Sequence, residues 1–284
     1  MGTCDLIPGI SGGTIAFITG IYSRLINSIK SFSPIILIHL FNYLKEKNES
    51  NKKKLQEDFR KLDLVFLLTL GLGIGTAIFF GSKAIGFLLE EYFVYTISFF
   101  VGLIVASSKI IYDDIQNRKI KNMGFGAIGF IIGSSFALLI PVNVNPSLPY
   151  VFLGGFVSVS AMFLPGISGA FILLIMGLYE FMIKEVLRDI PGHLDFFLVS
   201  ASGALLGAFF ISRAISFLFQ RDKCKTLYVL LGLVLGSLIV PLRKIAEEIT
   251  EFTPETSAML LFFFFFGLIS VIIVNRFKEN KNLC

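Results

Sequence analysis

Two stretches of this chain carry residues suited to chemistry. IPGISGGTIAFITGIYSRLI runs from Ile7 to Ile26, and LPGISGAFILLIMGLYEFMI from Leu164 to Ile183. Aligned without gaps, 10 of the 20 positions are identical, with Pro, Gly, Ile, Ser and Gly in succession. The chemistry on offer is anion binding. Pro removes one N–H and fixes φ, and the glycines permit tight turns and close backbone approach. Ser11 and Ser168 stand at or near the N-cap of an apolar helical stretch. The first N–H groups of such a helix are unpaired and carry partial positive charge. Gly9, Ser11, Gly12, Gly13 and Thr14 are the candidate binding residues of the first copy, and Gly166, Ser168 and Gly169 those of the second. The competing reading is that Gly and Ser only let helices pack closely. Two matched copies, each with Pro at the break, favour binding.

Other polar residues stand in or beside apolar stretches. Lys83 and Arg213 fall at matching places in the local repeats FFGSKAIGFL and FFISRAISFL. Either they snorkel to the interface or they face a cavity and hold an anionic group, one from each side. Asp5 precedes Pro8 by three residues, and its counterpart in the second copy is Met162. An acid on one side only either binds a proton or cation that drives transport, or caps the nearby backbone. Arg24 and Glu180 follow Tyr22 and Tyr179. They bridge the two copies in a coupling or gating role, or sit at the interface. No Walker loop is present, so ATP is not the expected energy source. The three cysteines show no CxxC or metal spacing. No metal or other cofactor is expected, and neither histidine lies in a motif.

The elements that position these residues belong to a membrane. The 284 residues are 55% hydrophobic and 16% charged, with a mean hydropathy of +0.80. Soluble domains carry about 25% charged residues. Spans of about 20 apolar residues are expected near 64–89, 93–112, 124–140, 195–219, 226–241 and 257–274. Residues 31–44 read as interfacial, and 45–63 as a polar, water-exposed helical insertion. The motif copies are offset by 157 residues, whereas Lys83 and Arg213 are offset by 130. The polar insertion accounts for most of that difference. Residues 1–146 and 147–284 therefore read as two repeats.

Positive charge tests the topology. If each motif enters and leaves on one side and each half adds three crossings, one side carries 17 Lys and Arg and the other 4. The 17-charge side, with residues 30–63 and both termini, should be cytoplasmic. Three crossings per half invert the second half against the first, as in many transporters. The expected fold is an all-α polytopic membrane protein: an inverted-repeat transporter with two re-entrant helical hairpins and about six full transmembrane helices.

At the paired motifs the chain resembles the DUF368 family of prokaryotic membrane proteins, identified as polyprenyl-phosphate (undecaprenyl-phosphate) transporters. The family pattern looks like D-x-x-PG-x-SGGT-x-A-x-x-x-GIY in the first half, here Asp5 to Tyr22. In the second it looks like PG-x-SG-x-x-x-L-x-x-x-G-x-Y, here Pro165 to Tyr179. The resemblance covers essentially the whole chain. It implies a carrier that returns undecaprenyl phosphate from the outer to the cytoplasmic leaflet for cell-envelope synthesis. It also implies roles for Asp5, Pro8, Gly9, Ser11, Gly12, Gly13 and Thr14, with Pro165, Gly166, Ser168 and Gly169. Ser23 stands where members often have Glu. Members usually have some ten or more apolar residues before the Asp, as Tyr150 to Val157 does in the second copy, so the first re-entrant arm is expected to be incomplete.

A phosphate monoester suits helix N-termini and Lys83 or Arg213, while its lipid tail stays in the bilayer. The partners expected are a polyprenyl phosphate and the bilayer, with no nucleic acid. Two rivals remain: a channel or carrier for a small soluble anion, and a membrane enzyme acting on lipid phosphate. The enzyme would need a base beside Ser11 or Ser168.

Overall fold

In hydrocarbon, backbone N–H and C=O groups must be satisfied within the protein, so a chain this apolar closes its hydrogen bonds locally and forms helices. A computed structural model describes residues 1–5, 10–32, 35–116, 118–249 and 253–276. Among these residues there is no β-strand. The first motif comprises α1 (Gly2–Asp5), α2 (Gly12–Ile18) and α3 (Tyr22–Lys30). Helices α4 (Ile35–Lys45) and α5 (Glu49–Leu62) follow, where an interfacial and then a polar segment is expected. Next come α6 (Leu64–Glu91), α7 (Phe93–Asp113) and α8 (Ile120–Ser135). The second motif comprises α9 (Leu148–Met162), α10 (Gly169–Ile175) and a π-helical turn at Phe181–Val186. The chain continues through α11 (Leu194–Arg221), α12 (Lys223–Ser237), α13 (Ile239–Glu248) and α14 (Pro254–Arg276).

Five stretches among the described residues are long and apolar enough to cross a membrane: α6, α7, α11, the α12–α13 run Lys223–Glu248, and α14. The protein is a multi-pass membrane protein. The sixth expected span, 124–140, is shorter: α8 has 16 residues and gives way to a 3₁₀ turn at Phe136–Leu138. Arg243 donates to the Ala137 carbonyl there at 3.1 Å, covering a polar group that the ending helix leaves free.

The buried centre is α7 and α12, and each packs on a helix from the other half of the sequence. Gly102 of α7 lies against the Phe264 carbonyl of α14, and Gly267 of α14 against the Phe99 carbonyl of α7. Gly232 of α12 lies against the Gly126 carbonyl of α8, and Gly129 of α8 against the Val229 carbonyl of α12. Along α8, Gly126, Gly129 and Gly133 meet Tyr228, Val229 and Leu233 in rising order, so α8 and α12 run parallel. Ser98 meets Leu260 and Gly102 meets Phe264, and Tyr95 stacks on Phe263 with Phe99 on Phe266, so α7 and α14 also run parallel. The third such pair is α9 with α11, where Gly155 meets Ser200 and Gly207 meets Phe156. Between membrane helices lipid supplies no hydrophobic drive, so close backbone contact through small residues has to hold them.

A side chain at these crossings has nowhere to go. Gly232→Leu should cost about 1–3 kcal/mol by overpacking and lower the thermal unfolding midpoint in detergent. Gly75→Ala, where no atom lies within 4 Å of the new Cβ, should leave the midpoint unchanged or raise it.

Candidate functional site

The two motif copies are built alike. Ser11 has β-region backbone angles at the N-cap of the seven-residue α2, and its Oγ accepts from Gly13 N at 3.2 Å. Ser168 does the same for the seven-residue α10, accepting from Phe171 N at 3.4 Å. Both short helices stop at a left-handed glycine, Gly20 and Gly177, before the next helical segment begins.

The copies also touch. Thr14 Oγ1 accepts from Gly166 N at 3.0 Å. Ser11 Oγ donates to the Leu164 carbonyl at 3.4 Å, and the Tyr22 hydroxyl to the Phe163 carbonyl at 2.9 Å. α9 ends at Met162, so these are polar groups that a continuous helix would have satisfied itself. Gly13 approaches the Met162 carbonyl so closely that a Cβ would collide with it. Ser11, Thr14, Ser168 and Tyr22 are all 3% exposed or less, so this broken backbone is covered by protein.

The two N-termini differ in what occupies them. Gly12 N donates to Asp5 Oδ1 at 2.9 Å, so a carboxylate sits where α2 would receive an anion. Asp5 Oδ2 is buried without a partner among the described residues. At α10, the Gly169 and Ala170 amides have no acceptor among the described residues. Ser158 Oγ steadies this copy by donating to the Gly169 carbonyl at 2.8 Å. Beside the contact is a cavity of about 190 Å³, lined by Gly13, Tyr22, Met162 and Phe163 and closed by Leu67, Leu70 and Ile74 of α6.

The structure thus brings Asp5, Ser11, Gly12, Gly13 and Thr14 together with Gly166, while Ser168 and Gly169 follow on the same loop. Gly9 and Pro8 lie outside the described residues. Arg213 is engaged elsewhere. It donates to the Phe32 carbonyl at 2.8 Å and the Phe209 carbonyl at 3.2 Å, with its guanidinium over the Phe209 ring. Lys83 is exposed and has no hydrogen bond or ion pair among the described residues. Of the two readings of Arg24 and Glu180, the bridge between copies is not made in this conformation. Arg24 makes a two-pronged contact with Asp63, at 2.5 and 3.0 Å, and lies over the Phe66 ring. Glu180 pairs with Lys184, one turn along, at 2.9 Å. Each charge takes the partner that local helix geometry supplies. Tyr22 and Ser158 are site residues that sequence reasoning missed. The first had a signal, since Tyr22 and Tyr179 match between the copies.

A family model described as undecaprenyl phosphate translocase-like matches residues 1–254. The chain belongs to this family. It is 36% identical over 238 residues to a polyprenyl-phosphate transporter of Vibrio cholerae serotype O1, covering 84% of this chain and 73% of that one. It is 29% identical over 265 residues to a polyprenyl-phosphate transporter of Staphylococcus aureus, covering 84% of this chain and 81% of that one. No solved structure matches. Both motif copies fall inside the matched region, so the loops that touch are part of what the family model spans.

Gly166 has φ +91°, and a Cβ there would lie within 3 Å of the α12 backbone at Val234 and Leu233. Gly166→Ala should cost about 1–3 kcal/mol in strain alone, read as a fall in the detergent unfolding midpoint. Thr14→Val keeps the shape but strands the buried Gly166 N–H, and should also cost about 1–3 kcal/mol.

Proposed function

We propose that this chain is a transporter that carries a polyprenyl phosphate, of the undecaprenyl phosphate kind, from the outer to the inner leaflet of the cytoplasmic membrane for cell-envelope synthesis. The observation that carries this reading is the buried contact of Ser11 and Thr14 with the Leu164–Gly166 loop in a chain whose relatives are named polyprenyl-phosphate transporters. The phosphate head binds at the paired loops, on Ser11, Gly12, Gly13 and Thr14 from one side and Gly166, Ser168 and Gly169 from the other. The tail remains in lipid. Asp5, which now covers the α2 amide, gives up that contact when the head arrives.

The repeat reading, residues 1–146 against 147–284, has support in the packing. The contacts of Gly102 and Gly267 in one helix pair have counterparts in Gly232 and Gly129 of the other, at constant sequence offsets. Helix direction supports re-entrant motifs. α8 and α12 are parallel, and one full-length span, α11, lies between the second motif and α12. A second motif that begins and ends on the same side fits that order. Gly166 lies against Leu233 and Val234, in the middle third of the run Lys223–Glu248, which suits a site near the bilayer midplane.

The alternatives fit less well. A small soluble anion would favour a polar lining, whereas the cavity beside Gly13 is walled by Leu, Ile, Met and Phe. A lipid-phosphate enzyme would need a base on Ser11, but its Oγ donates to a backbone carbonyl and Asp5 holds Gly12 N instead.

Headgroup translocation in liposomes tests the reading, with wild type, Ser11→Ala, Ser168→Ala and Asp5→Asn. Loss of a hydrogen bond to a charged group is worth about 1.5–3 kcal/mol, so each serine variant should lose roughly 10- to 100-fold in transport efficiency. Asp5→Asn removes negative charge from the site and should lower the apparent KM for the lipid. Serine variants at the wild-type rate would sink the site assignment. A wild type that passes chloride or phosphate but no lipid would sink the function.

A further inference from the structure

A larger cavity lies away from the one at the motif contact. It has a volume of about 480 Å³ and lies along α11 and α12, reaching from the turn between them to the second motif. That is within the range of about 300–1,000 Å³ typical of small-molecule sites. One end is polar, with Arg221, Asp222 and Lys225. Leu218, Val229 and Leu230 form the wall, and Leu164 and Leu233 line the far end. Leu164 directly precedes Pro165, and the Leu233 carbonyl lies against Gly166. From Lys225 to Leu233 is eight residues of helix, roughly 12 Å. The cavity therefore joins a charged mouth to the loop that receives the headgroup in the reading above.

The mouth suits an anion. Lys225 Nζ is 2.8 Å from Asp222 Oδ2 and 5.5 Å from the centroid of the Phe125 ring. Asp222 is also tied to the start of α12, accepting from Lys225 N at 3.0 Å. Arg221 is exposed and has no ion pair among the described residues, which leaves its planar fork free for phosphate oxygens. Net positive charge at the rim and an apolar wall behind it match a phosphate monoester on an isoprenoid chain.

A second cavity sharpens this. The offset of 130 that relates Lys83 to Arg213 sets Arg221, Asp222 and Lys225 against Glu91, Tyr92 and Tyr95. Those three residues line a cavity of about 250 Å³ with Glu248 and Val94. The same place in the two halves is thus basic in one and acidic in the other. In the charge-derived topology, the basic mouth faces the cytoplasm and the acidic one the opposite side.

Building on the transport reading above, we propose that the α11–α12 cavity is the cytoplasmic-leaflet port for the lipid phosphate. The phosphate rests on Arg221 and Lys225, and the first isoprene units lie along Leu218, Val229 and Leu230. The acidic counterpart holds no phosphate.

The chain has no tryptophan, so a single introduced one reports its own surroundings. Val229→Trp lies in the wall, and Leu218→Trp, at a position already exposed, serves if the first variant misfolds. Val94→Trp reports on the acidic counterpart. Each is purified in detergent and titrated with undecaprenyl phosphate, undecaprenol and inorganic phosphate. Emission at positions 229 and 218 should change with undecaprenyl phosphate alone, and position 94 should stay silent. Adding Arg221→Gln should weaken the apparent affinity about tenfold. Silence at both 229 and 218 in proteins that transport the lipid would overturn the port and leave the transport reading standing. So would an equal response at 94, or a response to undecaprenol or inorganic phosphate alone. A wild type that transports no lipid, while 229 and 218 still respond, would remove the transport reading and keep a lipid-phosphate site.

Discussion

A helix broken inside a bilayer exposes backbone groups that lipid cannot satisfy, and each unsatisfied group costs several kcal/mol. Two breaks, at Ile10–Ser11 and at Phe163–Ser168, make this the constraint on which the rest of the structure depends. The second break is completed largely by side chains of the first copy, and the first by its own Asp5 and Ser11. Tyr22 and Ser11 cover the carbonyls of Phe163 and Leu164, and Thr14 takes the Gly166 amide. The residues that look like ligand-binding groups in the sequence are, in this conformation, also each other's hydrogen-bond partners. A ligand at this site competes with contacts that hold the protein together, which ties binding to a change in how the two loops meet.

The surrounding helices make that coupling global. α7 finds its close partner in α14 and α12 finds its own in α8, so neither half of the sequence holds a complete core. The interlock passes through backbone contacts at glycines, where a shift of an ångström in one helix cannot be absorbed by a flexible side chain. Packed interfaces of this kind tend to switch between discrete arrangements rather than deform smoothly. The outer helices are different. α6 presents almost all of its surface outward, with Val65, Leu72 and Phe79 more than 70% exposed. In a bilayer that face meets lipid tails, beside the cavity that reaches Gly13.

Much of this was legible in the sequence, and for stated physical reasons. Apolar run length located the spans because hydrocarbon thickness sets it, and two matched Pro-Gly-x-Ser-Gly runs marked the loops because few other residues tolerate such a break. The Ser11→Ala and Ser168→Ala tests were already implied by that match. Arg213 and the Arg24–Glu180 pair stayed open, since a sequence shows which charges lie in apolar stretches but not which carbonyl or carboxylate is nearest. Phe32 and Asp63, the actual partners, stand 181 and 39 residues away. The cross-copy bond of Tyr22 and the bond of Ser158 within its own copy were hidden for a related reason. Their partners are main-chain carbonyls, which every residue has and no pattern distinguishes.

The scaffold is near-symmetric but its charges are not, and the difference bears on what could drive the transport proposed here. Fixed charges such as Arg221 and Glu91 change how fully each mouth is occupied, yet they cannot alter the equilibrium of a lipid between two leaflets. A phosphate monoester carries about −1.5 to −2 charges at neutral pH. Moving each inward against an inside-negative potential costs about 2.3 kcal/mol per 100 mV. Positive charge travelling with the head would offset that cost. Among the residues at the loop contact, only Asp5 is an acid that can take up a proton, and its Oδ2 is buried and unpaired against the α2 terminus. A proton on that carboxylate would neutralise the one group that now competes with phosphate for the Gly12 amide. In the transport reading, proton uptake on Asp5 would favour headgroup capture at the first loop, and the second loop, with Met162 in the equivalent place, has no counterpart to it.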